Sequence, residues 1–310
     1  MMDRRQWLGL AGTSALGASL ATQSYASTGG WKNGKQWVYS ITYDEAVVDL
    51  FKYAIPIHRK YGIPGHLAIV SDQIGKIRNL PGSSYHGFQV MGKEHVDELC
   101  AEGWGVSCHS LSHCGVTPEN GGQEVVEGMR LIRETLQRPV TLFTVPGDNN
   151  GHAPSIKFAE KAGITAIMTI YDRVNTKDTD LLWLGRTPMH TQFPKPFYTD
   201  FDPYKSLYLA KKVGGWVIDY NHCPMPDKPV HPAKDMTSQQ LQARFDAVRE
   251  IGGDDVWVAD PNEVVDFLLK DEEATRRREA APSPLASLYH PEILITYRIL
   301  SEENEEEKKE

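Results

Sequence analysis

Cysteine is scarce in this chain: four in 310 residues, at Cys100, Cys108, Cys114 and Cys223. That number cannot build a disulfide scaffold for a chain of this size, and the four read as small, largely apolar residues rather than ligands. Cations are outnumbered, 33 Lys and Arg against 41 Asp and Glu, for a formal charge of -8. Nucleic acid is thereby excluded as the expected partner, since binding phosphate requires a basic surface. The same charge gives no reason for attachment to anionic lipid. Long apolar runs are also missing, and the best, from Leu8 to Ala21, is too short and too rich in Gly and Ser to span a bilayer. There is no internal repeat. What remains is 40% hydrophobic and 24% charged, the composition of an ordinary globular protein, with length for one large α/β domain plus its ends.

The ends read differently from the middle. Arg4-Arg5-Gln6-Trp7-Leu8 has the form of a twin-arginine export signal, the apolar run follows it, and Ser24-Tyr25-Ala26 offers small residues to a signal peptidase. Residues 1–26 are therefore expected to be a cleaved leader, and the mature protein to be periplasmic or extracellular. From 271 to 310 the chain reads as a charged linker, with Glu292–Leu300 as a possible terminal strand. The last ten residues hold six Glu against two Lys and read as a disordered acidic tail.

Between 36 and 270 short apolar runs alternate with amphipathic helical stretches. Strands are expected at Trp37–Tyr43, Gly65–Val70, Gly105–Cys108, Leu142–Val145, Ala166–Ile170, Leu181–Leu184, Gly215–Tyr220 and Val256–Ala259. Helices are expected at Val47–Tyr61, Gly92–Glu102, Gln123–Gln137, Ala153–Ala162, Ser238–Ile251 and Pro261–Leu269. Such alternation implies an α/β fold of mostly parallel strands with outer helices, whose function sits at the carboxyl ends of the strands. The chemistry-bearing residues collect there. Asp44 and Glu45 follow the first strand, His109 and His113 the third, and His222 the seventh. Histidines four apart stack on one helical turn and can reach one ion. Two imidazoles and a carboxylate form the three-ligand set of catalytic zinc, with a position left open, and a second carboxylate beside them can serve as a base. Trp183 and Trp216 read as core, and His58, His66, His86, His95, His190, His231 and His290 as structural.

The order of these segments resembles the polysaccharide deacetylases, the carbohydrate esterase family 4 or NodB-homology domain. Thr42-Tyr43-Asp44-Glu45-Ala46 is similar to the family's Thr-Phe-Asp-Asp-Gly, and His109-Ser110-Leu111-Ser112-His113 matches its His-Ser/Thr-x-x-His. Asp219-Tyr220-Asn221-His222 takes the place of Leu-x-x-His, and Val256-Trp257-Val258-Ala259 with Glu263-Val264-Val265 resembles the closing strand and helix. The resemblance implies a distorted (β/α) barrel and a hydrolase removing N- or O-linked acetyl groups from a glycan. It implies a divalent ion, zinc first, held by Glu45, His109 and His113. Asp44 would be the general base and His222 the general acid. It also places Pro146, Gly147, Asp148 and Asn149 near the substrate, with Asn150 and His152 extending that loop.

The departures are specific. Glu45 stands for Asp and Ala46 for Gly, and Thr144 replaces the arginine that in the family orients the base. Arg173 or Arg186 could reach that carboxylate from a neighbouring strand end. Asp172 is the nearest candidate for a missing fourth-motif Asp. Three other readings follow: a glycan-binding protein with weak or no turnover, a metal-free hydrolase of small C–N substrates, and a non-haem iron oxygenase. The two histidines disfavour the second and the α/β pattern the third. For the leader, N-terminal sequencing of exported protein is expected to begin near Ser27. Protein that keeps Met1, and is unaffected by Arg4→Lys with Arg5→Lys, would contradict it.

Overall fold

The computed structural model describes residues 30–83, 85–188, 201–231 and 235–280. The leader, the Glu292–Leu300 segment, the acidic end, His190 and His290 lie outside them. Eight strands, β1 (Trp37–Asp44), β2 (His66–Ile69), β3 (Gly105–Cys108), β4 (Leu142–Thr144), β5 (Ala166–Met168), β6 (Thr187–Pro188), β7 (Trp216–Asn221) and β8 (Val256–Val258), form one sheet. The order is β5-β4-β3-β2-β1-β7-β6, every pairing is parallel, and β8 pairs with β1 off that path. The sheet curls into a half-barrel, the distorted (β/α) barrel that the resemblance implied.

β1 organises the sheet. Along one edge it pairs with β7 from Val38 to Tyr43. Its remaining hydrogen-bonding capacity is divided, β8 taking Trp37–Tyr39 and β2 taking Thr42–Asp44. β8 therefore wedges in where β1 and β2 part. Asp260 closes the gap: it accepts from His66 Nδ1 at 2.6 Å and caps the next helix by accepting from Asn262 N at 2.8 Å.

All eight β1 residues are buried, as expected of a central parallel strand covered on both faces. Alternation then separates their tasks. Trp37, Tyr39, Ile41 and Tyr43 join the main apolar cluster. Its other members include residues of α1 (Leu50–Tyr53), α2 (Ile55–Tyr61), α3 (Lys93–Ala101), α4 (Gly128–Leu136), α5 (His152–Ala162), α6 (Leu207–Val213) and α7 (Ser238–Gly252). Val38 joins a second cluster with Trp216, Ile218, Met168 and α8 (Pro261–Lys270). Further along that face come Ser40, Thr42 and finally Asp44, so the period of the strand itself aims Asp44 inward. Trp216 is core, as expected, with its indole N–H on Ser40 Oγ at 2.9 Å.

Several local expectations are corrected. The helix expected over Val47–Tyr61 divides at Ala54 into α1 and α2, because Pro56 has no N–H to give and its ring crowds the preceding turn. Leu181–Leu184 is not a strand: Leu181–Trp183 is a 3-10 turn started by Asp180, which accepts from Leu182 N, and only Leu184 bridges to Met168. β6 and α6 were not anticipated. Of the expected linker, Glu272–Ala280 is a helix, α9, held against the domain by Arg278, which donates to the carbonyls of Lys177 and Leu268. The four cysteines are free thiols. Among the described residues no helix is long and apolar enough to cross a membrane.

Beneath the strand ends a buried ion pair fixes α7 to β7. Arg244 grips both oxygens of Asp219 at 2.8 and 2.9 Å, Tyr39 donates to the same carboxylate at 2.7 Å, and all three side chains are fully buried. Removing one partner strands a buried charge, which costs about 3–5 kcal/mol. Arg244→Met is therefore expected to lose stability of that order in urea unfolding, and a loss below about 1 kcal/mol would show the pair to be incidental.

Candidate active site

The strand ends bring Asp44, Glu45, His109, His113 and His222 around one cavity of about 340 Å³, which Gly147, Tyr85, Tyr220 and His231 also line. Asp44 is the last residue of β1, and His109 and His222 directly follow β3 and β7. The loops that carry Glu45 and His113 are made of unusual backbone. Among the described residues seven non-glycine residues have positive φ, and four of them are Glu45 (75°), Ala46 (48°), Ser110 (67°) and His113 (68°). Each costs roughly 1–2 kcal/mol relative to the right-handed conformation, so the surroundings must impose it. Glu45 N donates to Ala68 O at 3.0 Å and Met91 N to Ala46 O at 2.9 Å.

His109 and His113 do not share a helical turn, as their spacing suggested. The segment is an irregular loop that turns at Ser110 and His113 and sets the two rings 5.0 Å apart. Glu124, from a π-helical turn at Gly122–Glu127, braces it by accepting from Ser112 N at 3.0 Å and Ser112 Oγ at 2.7 Å. Gly128 lets the loop pack closely, for a Cβ there would meet Leu111 N at 2.8 Å.

Protonation is set by specific partners. The Thr144 carbonyl can only accept, so His109 Nδ1 carries its hydrogen, 2.9 Å away, and Nε2 keeps a lone pair for the site. Burial pushes His109 down to about 4, which keeps the ring neutral. Glu45 Oε1 lies 3.1 Å from His113 Nε2, and one ligand atom each from Glu45, His109 and His113 fall within 4.8 Å of one another. Burial would raise the Glu45 carboxyl, but the His113 hydrogen bond and charge, with His109 and Arg78, hold it at about 2. An ionised carboxylate and two imidazoles, so gathered, fit a divalent ion with nitrogen and oxygen preferences.

Asp44 lies beside this set, 4.0 Å from His109 Nε2. Arg186 holds it with both terminal nitrogens, at 2.6 and 3.1 Å, while also donating to Thr42 Oγ1 and the Thr169 carbonyl. Burial acts to raise the Asp44 carboxyl, yet Arg186, with His109 and His222, holds it well below the usual carboxylate range. The arginine missing at Thr144 is thus supplied from the approach to β6. Arg173 is instead stacked over Trp183, and exposed Asp172 pairs with Lys205. Thr144 itself bonds Ser107 Oγ at 2.7 Å.

His222 is oriented by Asp235, which accepts from its Nδ1–H at 2.6 Å and from Tyr85 O–H at 2.5 Å. Tyr85 and His231 each lie parallel to the His222 ring, centroids 5.3 and 6.4 Å away. Burial works against the imidazolium, but Asp235, followed by Asp44 and Glu45, raises the pKa above its ordinary value. Sequence reasoning missed Asp235, Tyr85 and Arg78, and left His231 as structural.

The loop expected near the substrate borders the cavity at Gly147. Pro146 is buried, Asp148 bonds Asn150 within its own turn, and Asn149 Oδ1 accepts from Ile170 N. His152 is buried and bonds the Leu182 carbonyl. Only the first of these is a contact within the turn; Asn149 and His152 tie the loop to the segments after β5 and at Leu182.

Residues 32–167 match the family model of polysaccharide deacetylases. Over that segment the chain is similar to the polysaccharide deacetylases. YxkH of Bacillus subtilis (strain 168), named provisionally as a polysaccharide deacetylase, is 22% identical over 149 residues, 47% of this chain and 49% of its own. This chain thus spans about half the length of that curated protein. A Mycobacterium smegmatis structure, described provisionally as a polysaccharide deacetylase, shares its fold at a TM-score of 0.50 and 15% identity, over 79% of this chain and 94% of that one. A Streptococcus pyogenes deacetylase solved with acetate aligns at 0.39 and 15%, over 48% of this chain and 62% of its own.

The state of His222 can be read directly. NMR titration of its ring in metal-free protein is expected to give a pKa above the usual value near 6.5, and Asp235→Asn to lower it. An unchanged titration in the variant would remove Asp235 as the cause.

Proposed function

We propose that the chain is a metal-dependent deacetylase that hydrolyses N- or O-linked acetyl groups on an oligosaccharide or polysaccharide. Glu45, His109 and His113 would hold a divalent ion, zinc first by the donor set. Such an ion polarises an acyl carbonyl and acidifies water. Asp44, kept ionised by Arg186, takes the proton of the attacking water. His222, whose imidazolium Asp235 favours, gives a proton to the amine or alcohol as the bond to the acyl carbon breaks. Tyr85, Leu80 and Ile170 wall the cavity, whose volume suits one acetylated sugar unit rather than a polymer face.

The observation that carries this reading is the pair of opposed charge states on one cavity. Asp44 is pushed toward the carboxylate by an arginine, and His222 toward the imidazolium by an aspartate. Environments that drive two titratable groups apart are how acid and base roles are divided. The grip of Arg186 also supports turnover over binding alone, since the ground for a silent site was the residue at Thr144. The twin-arginine-type leader supports export to the periplasm or beyond.

Acetate release from acetylated oligosaccharides tests the proposal. Wild type is expected to turn over and to stop when a chelator removes the ion. Asp44→Asn and His222→Ala should each lose roughly 10²–10⁴-fold. Equal, chelator-insensitive release by all three proteins would overturn it, and retained glycan affinity in the variants would then favour the binding protein.

A further inference from the structure

Arg78 is completely buried but does not line the cavity. Arginine is almost never fully buried without partners, and its partners here lie on two sides. Nη1 bonds Gln73 Oε1 at 2.8 Å and ion-pairs with Glu45 Oε2. Nε and Nη2 both donate to Ser83 Oγ, at 3.3 and 3.2 Å. The backbone is equally fixed, with Arg78 N on the Phe88 carbonyl and Gly87 N on the Arg78 carbonyl, both at 2.8 Å. Glu45 is thereby divided between two neighbours. Its Oε2 belongs to Arg78, and its Oε1 faces His113. Ser83 belongs to the cavity wall, together with Leu80, Pro81 and Gly82.

We propose that Arg78 is a positioning residue for the ion: it clamps Glu45 Oε2 so that Oε1 alone is offered as a ligand, and through Ser83 it ties that ligand to the cavity wall. The proposal rests on the metal-site reading above. A glutamate has three side-chain torsions, and free rotation would let the carboxylate turn either oxygen, or neither, toward the imidazoles. Partners that orient a ligating group are worth a large share of metal affinity. The guanidinium charge opposes that of an ion, but the carboxylate lies between them, and orientation prevails. Arginine suits the position because its planar fork reaches Glu45 and Ser83 at once, which a single ammonium cannot do.

The test is zinc affinity by competition with a chromogenic chelator at neutral pH, alongside hydrogen exchange over residues 74–90. Arg78→Met is expected to weaken zinc binding 10–100-fold and to abolish the zinc-dependent protection of that segment expected of wild type. The loss should vanish on a Glu45→Gln background, where no carboxylate remains to be oriented. Arg78→Lys, which keeps the charge but not the fork, should lose affinity at the lower end of the range. It also carries the comparison if circular dichroism shows Arg78→Met to be unfolded. Wild-type affinity in the folded variant, or an equal loss with and without the Glu45 carboxylate, overturns the positioning role alone. Failure of wild type itself to bind zinc overturns the metal-site reading, and the proposal with it.

Discussion

Two consecutive carboxylates, Asp44 and Glu45, stand at the inner end of a strand with no exposed residue. Burying a single charge costs several kcal/mol unless it is paired, and burying two side by side adds their repulsion. The surrounding side chains answer that constraint. Arg186 takes both oxygens of Asp44, Arg78 takes one of Glu45, and His113 meets the other. The two guanidinium groups come from opposite directions, Arg186 from the approach to β6 and Arg78 from the long connection after β2. Each carboxylate therefore keeps its own counter-charge, and neither has to be neutralised by taking up a proton. This is why both carboxyls are held low although burial alone would raise them.

The same economy of partners extends to the acid side. Tyr85 lies in the connection that carries Arg78, and its hydroxyl meets the Asp235 carboxylate that orients His222. One connection, between β2 and α3, thus supports the Glu45 carboxylate with Arg78 and, through Asp235, the His222 imidazole with Tyr85, and supplies part of the cavity wall. Its own shape is held by bridges of Val90 to Val47 and of Ile77 to Gln89. The first of these joins it to the residues just after Glu45, so the connection and the strained ligand loop stabilise each other.

The elements of this site were unequally legible in the sequence. β1, β3 and β7 are apolar runs of the right length, and residues at their ends are near one another in any parallel α/β sheet, so Asp44, Glu45, His109, His113 and His222 could be gathered without coordinates. Arg186 could be suspected for the same reason, although it lies 142 positions from Asp44. Arg78, Tyr85 and Asp235 could not, because they lie in irregular connections where no periodicity tells which way a side chain points. The contacts of the loop after Pro146 were no more legible: Asp148 accepts from Asn150 N two residues on, and Asn149 from Ile170 N across the strand ends. The helical spacing of His109 and His113 misled as well: left-handed residues at Ser110 and His113 bring the rings together by a route that a helix would not take.

Thr144 shows what a motif does and does not encode. Read along the chain, a threonine where the resemblance leads one to expect an arginine suggests a damaged site. In the fold, the Thr144 carbonyl sets the tautomer of His109, a task any residue there could perform with its backbone, and its hydroxyl bonds Ser107. The charge that the threonine lacks arrives from another strand, at the bidentate geometry a buried carboxylate requires. The demand is set by Asp44 and the low dielectric around it, and any strand end that borders the same cavity can meet it. A substituted motif residue is therefore weak evidence of lost function until the partner of the group it once served has been located.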